Sequence, residues 1–247
     1  MGRLFDLDPH SNPLSQNGRG VSRSDGVRVS TGMKTSRTIL WVTLFSIAFA
    51  FVEASVVVYL RAIYYPEGFA FPLKLMSSHH IAVELSREVA TIVMLAAAGM
   101  LAGKSRWEKF SYFLIAFGVW DIFYYVWLKL TLNWPFTLFD WDILFLIPLP
   151  WIGPVVAPVL VSIVMIAGGL LMIRREEREG LFRATRLMQL LVLIGTVVIL
   201  FSFLHDVDAT LKLQMPKLYR YELLAAGLLC YAIVFTLVGR GSKSKRG

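Results

Sequence analysis

Four carboxylic acids and one arginine sit where the surrounding sequence is apolar: Glu53, Glu84, Arg87, Glu88 and Asp121. A charged side chain at the centre of a membrane-spanning helix costs about 2.5–3.5 kcal/mol on insertion scales, so a group of them facing lipid is untenable. They must meet one another or line a water-filled space. His80, Glu84 and Glu88 recur every four residues and share one stripe of a helix; Asp121 and Tyr125 share a face in the same way. The planar fork of Arg87 can hold two carboxylates, so Arg87 is expected to anchor a charge network that includes Tyr125.

One arginine against four carboxylates leaves negative charge that must be protonated, hydrated or bound to a cation. Zinc, iron or manganese would suit carboxylates from separate helices together with histidine, and the expected ligands are His80, Glu84, Glu88 and His205. Such a metal would acidify water for hydrolysis or support redox chemistry, with Glu53 or Asp121 as general base. The first expectation is therefore a metal-assisted, membrane-embedded enzyme acting on a lipid or other small substrate. The Glu-x-x-His signature of di-metal bundles is missing, however. Two alternatives need no metal: a non-catalytic membrane subunit whose charges lock helices together, and a small-solute or proton transporter. Haem held between His79 or His80 and His205 is a further chemistry to weigh. The sequence has no P-loop, no His-Glu-x-x-His and no Gly-x-Ser-x-Gly.

The elements that must position these residues follow from composition. Of 247 residues 56% are hydrophobic and only 17% charged, which excludes an ordinary soluble domain. The apolar residues fall in runs of about twenty, enough to cross a ~30 Å hydrocarbon core, and the alternation of a β-barrel is absent. The fold expected is an all-α, polytopic bundle of six transmembrane helices, at about 39–64, 80–102, 110–130, 143–173, 187–204 and 223–238. Pro148, Pro150, Pro154 and Pro158 predict that the fourth span opens as an interfacial or broken stretch, with a regular helix only from near Ala157. Around it, the Trp-, Asp- and Pro-dense run from Trp134 to Pro158 reads either as a lid or re-entrant segment, with Asp140 or Asp142 reaching inward, or as an interfacial loop anchored by Trp141 and Trp151.

Residues 1–37 read as a disordered, polar and basic cytoplasmic tail, 38–240 as the transmembrane domain, and 241–247 as a short basic cytoplasmic tail. Eighteen of the 25 Lys and Arg residues lie in the two tails and in the loops after the second and fourth spans. That asymmetry predicts cytoplasmic N- and C-termini in a bacterial inner (plasma) membrane, and it puts the buried carboxylates in the outer half. It also accounts for the net charge of +8 without nucleic acid, so the lipid bilayer and a small or lipid substrate are the expected partners. The lone Cys230 excludes an intramolecular disulfide and reads as a packing residue.

Overall fold

The computed structural model describes residues 23–71, 73–74, 76–180, 184–214 and 216–240. The chain divides between Ser36 and Arg37 into two units. Of the first, residues 23–36 are described and are helical. Residues 1–22 and 241–247 lie outside the described residues.

The elements run α1 (Arg23–Tyr64), α2 (Ser78–Ala102), α3 (Arg106–Leu132), β1 (Trp141–Phe145), β2 (Trp151–Pro154), α4 (Val156–Glu179), α5 (Arg186–Leu204), α6 (Val207–Leu211) and α7 (Tyr221–Arg240). Among the described residues six helices are long and apolar enough to cross a membrane: Lys34–Tyr64, Ser78–Ala102, Arg106–Leu132, Val156–Glu179, Arg186–Ala209 and Tyr221–Gly239. Three of them start on hydroxyl caps that satisfy otherwise orphaned N–H groups. Ser77 accepts from the His80 N–H at 3.3 Å, Ser105 from Glu108 at 3.0 Å and Thr185 from Met188 at 3.3 Å. Helix α4 has no side-chain cap. Backbone carbonyls of the preceding loop serve instead: Val155 N–H donates to Asp140 O at 3.0 Å and Val156 N–H to Leu138 O at 2.7 Å.

Helices α1 and α2 run antiparallel, as do α3 and α4. Thr91 meets Glu53 and His80 meets Tyr64 across α1 and α2, and Ser162 meets Asp121 across α3 and α4. Helix α3 is the central strut, sending the Trp127 indole N–H to the Ile47 carbonyl of α1 at 3.0 Å. The α3–α4 crossing is set by two glycines: a Cβ on Gly118 would lie 2.6 Å from Ser162 O, and one on Gly169 would lie 2.6 Å from Ser111 O. Backbones this close exclude any side chain, the small-residue rule of helix pairs in lipid. Gly118→Ala is expected to destabilise the protein by about 1–3 kcal/mol through overpacking. Gly168→Ala, whose Cβ would find only the Phe235 ring at an ordinary 3.6 Å, should leave the thermal unfolding midpoint in detergent unchanged.

The regular helix of the fourth span starts at Val156, where the prolines place it, and the broken stretch before it is a β-hairpin. Strands β1 and β2 pair antiparallel with Asp142 opposite Gly153 and Ile143 opposite Ile152, and the register breaks between Ile143 and Phe145. The tip enters the bundle. Phe145 stacks on Phe117 with ring centroids 6.2 Å apart, and the Leu146 N–H reaches Glu88. Glu88 lies ten residues into α2, so the tip penetrates about 15 Å along that helix.

Candidate functional site

Glu84, Arg87, Glu88 and Thr91 lie on one face of α2, opposite Glu53 of α1. Arg87 is the hub. Its Nε donates to Glu84 Oε2 at 3.0 Å, its Nη2 to the other oxygen of the same carboxylate, and its Nη1 pairs with Glu53. The Thr91 hydroxyl sits between Glu53 and the Arg87 carbonyl, 3.0 Å from the latter. Glu53 is thus buried with both oxygens partnered, one by the Arg87 guanidinium and the other by the Thr91 hydroxyl. A fork held by two carboxylates is the strongest form of such a contact and fixes α1 to α2.

Glu88 has a different partner. Both of its oxygens accept the Leu146 N–H, at 3.0 and 2.9 Å. Irregular backbone inside a bundle is stable only if its polar groups find partners, and here a buried carboxylate supplies one. Glu88→Ala should cost about 1–3 kcal/mol by orphaning that donor and should raise the amide exchange rate of Leu146. Glu88→Gln keeps a carbonyl acceptor and should preserve most of the protection.

The hairpin is held a second time at its base. Arg61, in the last turn of α1, pairs with Asp142 of β1 at 3.0 Å, and its guanidinium lies between the Trp134 ring at 3.7 Å and the Phe69 ring at 4.2 Å from the centroids. Burial raises the Asp142 carboxyl to about 6, with Arg61 opposing that shift, and Tyr125 faces the same carboxyl. Deeper in α3, Asp121 accepts from the Ser162 hydroxyl at 2.8 Å, one turn from the Gly118 crossing.

These groups enclose a cavity of about 470 Å³. Glu53, Glu84, Arg87, Glu88, Asp121 and Tyr125, all singled out in the sequence, line it, as do Arg61, Tyr124 and Asp142. Leu60, Leu73, Ile81 and Leu85 give it apolar flanks.

No family model, curated protein or solved structure matches the chain.

Geometry therefore has to carry the functional argument, and it does not assemble the expected metal centre. Among the described residues no three His, Cys, Asp or Glu side chains come close enough to hold a metal ion. His80 turns to the Tyr64 hydroxyl and is absent from the cavity wall, while His205 ends α5 away from it. Glu84 is occupied by Arg87 and Glu88 by the hairpin. The expected four-residue stripe fails at His80 because it lies in the first turn of α2, beside the end of α1. Arg61, which the sequence did not single out, is buried. Its signal was present in Phe69 and Trp134, aromatic partners that only the fold brings together.

Proposed function

We propose that this is an integral membrane protein that binds a small molecule with a polar, hydroxyl-bearing head in the Arg87 cavity, and that the charge network is the framework shaping that site. The observation that carries this reading is a cavity of about 470 Å³ whose five carboxylates are each held by a partner within the protein, three by arginine, Glu88 by the Leu146 N–H and Asp121 by the Ser162 hydroxyl. Arg87 is neutralised by Glu53 and Glu84, and Arg61 by Asp142. What remains for a ligand is hydrogen-bonding capacity. Arg61 Nη1, Trp120 Nε1 and Asp142 Oδ2 belong to residues lining the cavity and are buried with no hydrogen-bond partner, two donors and one acceptor. A hydroxyl group can answer either kind.

This reading keeps the non-catalytic alternative and gives it a ligand. An enzymatic role for Glu53 or Asp121 as base has less support, since Arg87 and Thr91 hold the first and Ser162 the second. The hairpin end of the bundle is assigned to the outer side and the termini to the cytoplasm on the Lys and Arg asymmetry. A reporter fused at the C-terminus and active only outside the cytoplasm would reverse that orientation.

Native mass spectrometry of the protein extracted in mild detergent tests the binding reading. The wild type should retain a small molecule that is missing from Leu85→Trp, in which the cavity wall is filled. Equal, ligand-free spectra for both would overturn it.

A further inference from the structure

A partner for every carboxylate of the Arg87 cavity does not balance the charge of its wall. Arg87 and Arg61 face Glu53, Glu84 and Asp142, whereas Glu88 and Asp121 are held by neutral donors, the Leu146 N–H and the Ser162 hydroxyl. The third cation of the wall, Lys74, is exposed, with its Nζ 5.3 Å from the centroid of the Tyr65 ring. Even with Lys74 counted, the carboxylates outnumber the cations. Such a wall repels an anion and draws in a cation.

The acceptor left open marks where a cation would sit. Asp142 is 2% exposed and lines the cavity, and its Oδ2 has no hydrogen-bond partner. Asp121, which has no arginine of its own, lies within electrostatic reach of Asp142. A positive group at Oδ2 therefore meets a free acceptor and the field of a second carboxylate together. Along α3 the residues flanking Asp121 are aromatic: the Trp120 and Tyr124 rings stack with centroids 6.3 Å apart, and Phe145 of the hairpin lies 6.3 Å from Trp120. An ammonium group on a carbon frame can donate N–H to a carboxylate while its alkyl side lies against such rings. The same wall already holds one organic cation in this way, the Arg61 guanidinium, 4.2 Å from the Phe69 centroid.

We infer that the ligand's head is a protonated amine: the molecule is a small amino alcohol whose ammonium group donates to Asp142 Oδ2 in the field of Asp121, and whose hydroxyl oxygen accepts from Arg61 Nη1 or Trp120 Nε1. This rests on the reading of the cavity as a binding site and names the ligand's class. The unpartnered donors call for the hydroxyl and the excess of carboxylates for the amine. A neutral diol answers only the first, and a hydroxy acid adds charge of the wrong sign.

Isothermal titration calorimetry of the full chain in mild detergent compares three probes on one carbon frame: 2-amino-1-hexanol, 1,2-hexanediol and 2-hydroxyhexanoate. The amine should bind about tenfold more tightly than the diol, and the acid more weakly than either. Asp142→Asn should bring the amine's affinity down to that of the diol; Asp121→Asn, the second variant should the first fail to fold, should weaken the amine in the same direction. Equal affinities for amine and diol, no binding of the amine, or tighter binding of the acid overturns the inference. Amine affinity unchanged in both variants overturns its placement against Asp142 and Asp121. Displacement of the amine by an equal concentration of sodium chloride marks an inorganic cation site and overturns the amine assignment. The reading of the cavity as a binding site is judged apart from these outcomes, by its own mass-spectrometric test.

Discussion

Arg87→Met is expected to destabilise the protein by about 3–5 kcal/mol, the range for removing one partner of a buried ion pair. The cost arises on the side that remains: Glu53 and Glu84 keep their buried carboxylates and lose the guanidinium that faced both. Methionine retains much of the apolar stem, so lost packing contributes little. Thermal unfolding followed by tryptophan fluorescence in detergent reads the change. Adding Glu53→Gln to Arg87→Met should recover part of the loss, and the resulting double-mutant cycle should show coupling well above the few tenths of a kcal/mol seen between independent sites. Additive single and double variants would mean that Glu53 and Arg87 are separately solvated. That result would remove the framework on which the cavity's shape depends.

Much of this framework could be read in the sequence because lipid constrains so strongly. A charge that cannot face hydrocarbon has to face another charge, so Glu53, Glu84, Arg87, Glu88 and Asp121 were expected to share one space, and all five line one cavity. Period and spacing carry that inference without tertiary knowledge. The partners within the space are another matter. Whether Glu88 meets a metal, an arginine or a backbone N–H depends on what enters the bundle beside it, and the hairpin enters through a run whose prolines and aromatics suit several conformations. The apolar stretch Ile143–Leu146 is too short to separate strand from helix by periodicity. Pro148 and Pro150 do mark a turn between two short apolar runs, and with β-branched and aromatic residues on both sides that pattern was the available signal for a hairpin. The histidines misled for a simpler reason: residues at helix ends have more partners within reach than a stripe on the helix surface implies, and His80 found Tyr64.

Arg61→Met is the other large effect, and its size should depend on pH. In the folded protein burial lifts the Asp142 carboxyl to about 6 from an ordinary 3.8, even with Arg61 beside it. Between about pH 4 and 6 the folded chain therefore holds a proton that the unfolded chain has released, and the contribution of this group to stability falls as pH rises through that window. A displacement of about two pKa units corresponds to roughly 3 kcal/mol across it. Removing Arg61 takes away the largest of the influences opposing that shift and leaves the Ile143 N–H and the Tyr125 hydroxyl, so the carboxyl moves further upward and the penalty at neutral pH grows. At pH 7.5 the variant should lose about 3–5 kcal/mol. At pH 4.5, where Asp142 is neutral with or without Arg61, the deficit should shrink to what the stack between Trp134 and Phe69 contributes, on the order of 1–2 kcal/mol for a desolvated cation over aromatic rings. Asp142→Asn introduced alongside Arg61→Met should restore much of the stability lost at pH 7.5 and flatten the profile between pH 4 and 6. Infrared difference spectra should show a protonated carboxyl band that titrates near pH 6 in the wild type and disappears in Asp142→Asn. A deficit for Arg61→Met that is the same at pH 4.5 and 7.5 would assign the effect to the aromatic stack alone, and the hairpin would then be fastened to α1 by packing, with the ion pair contributing nothing measurable.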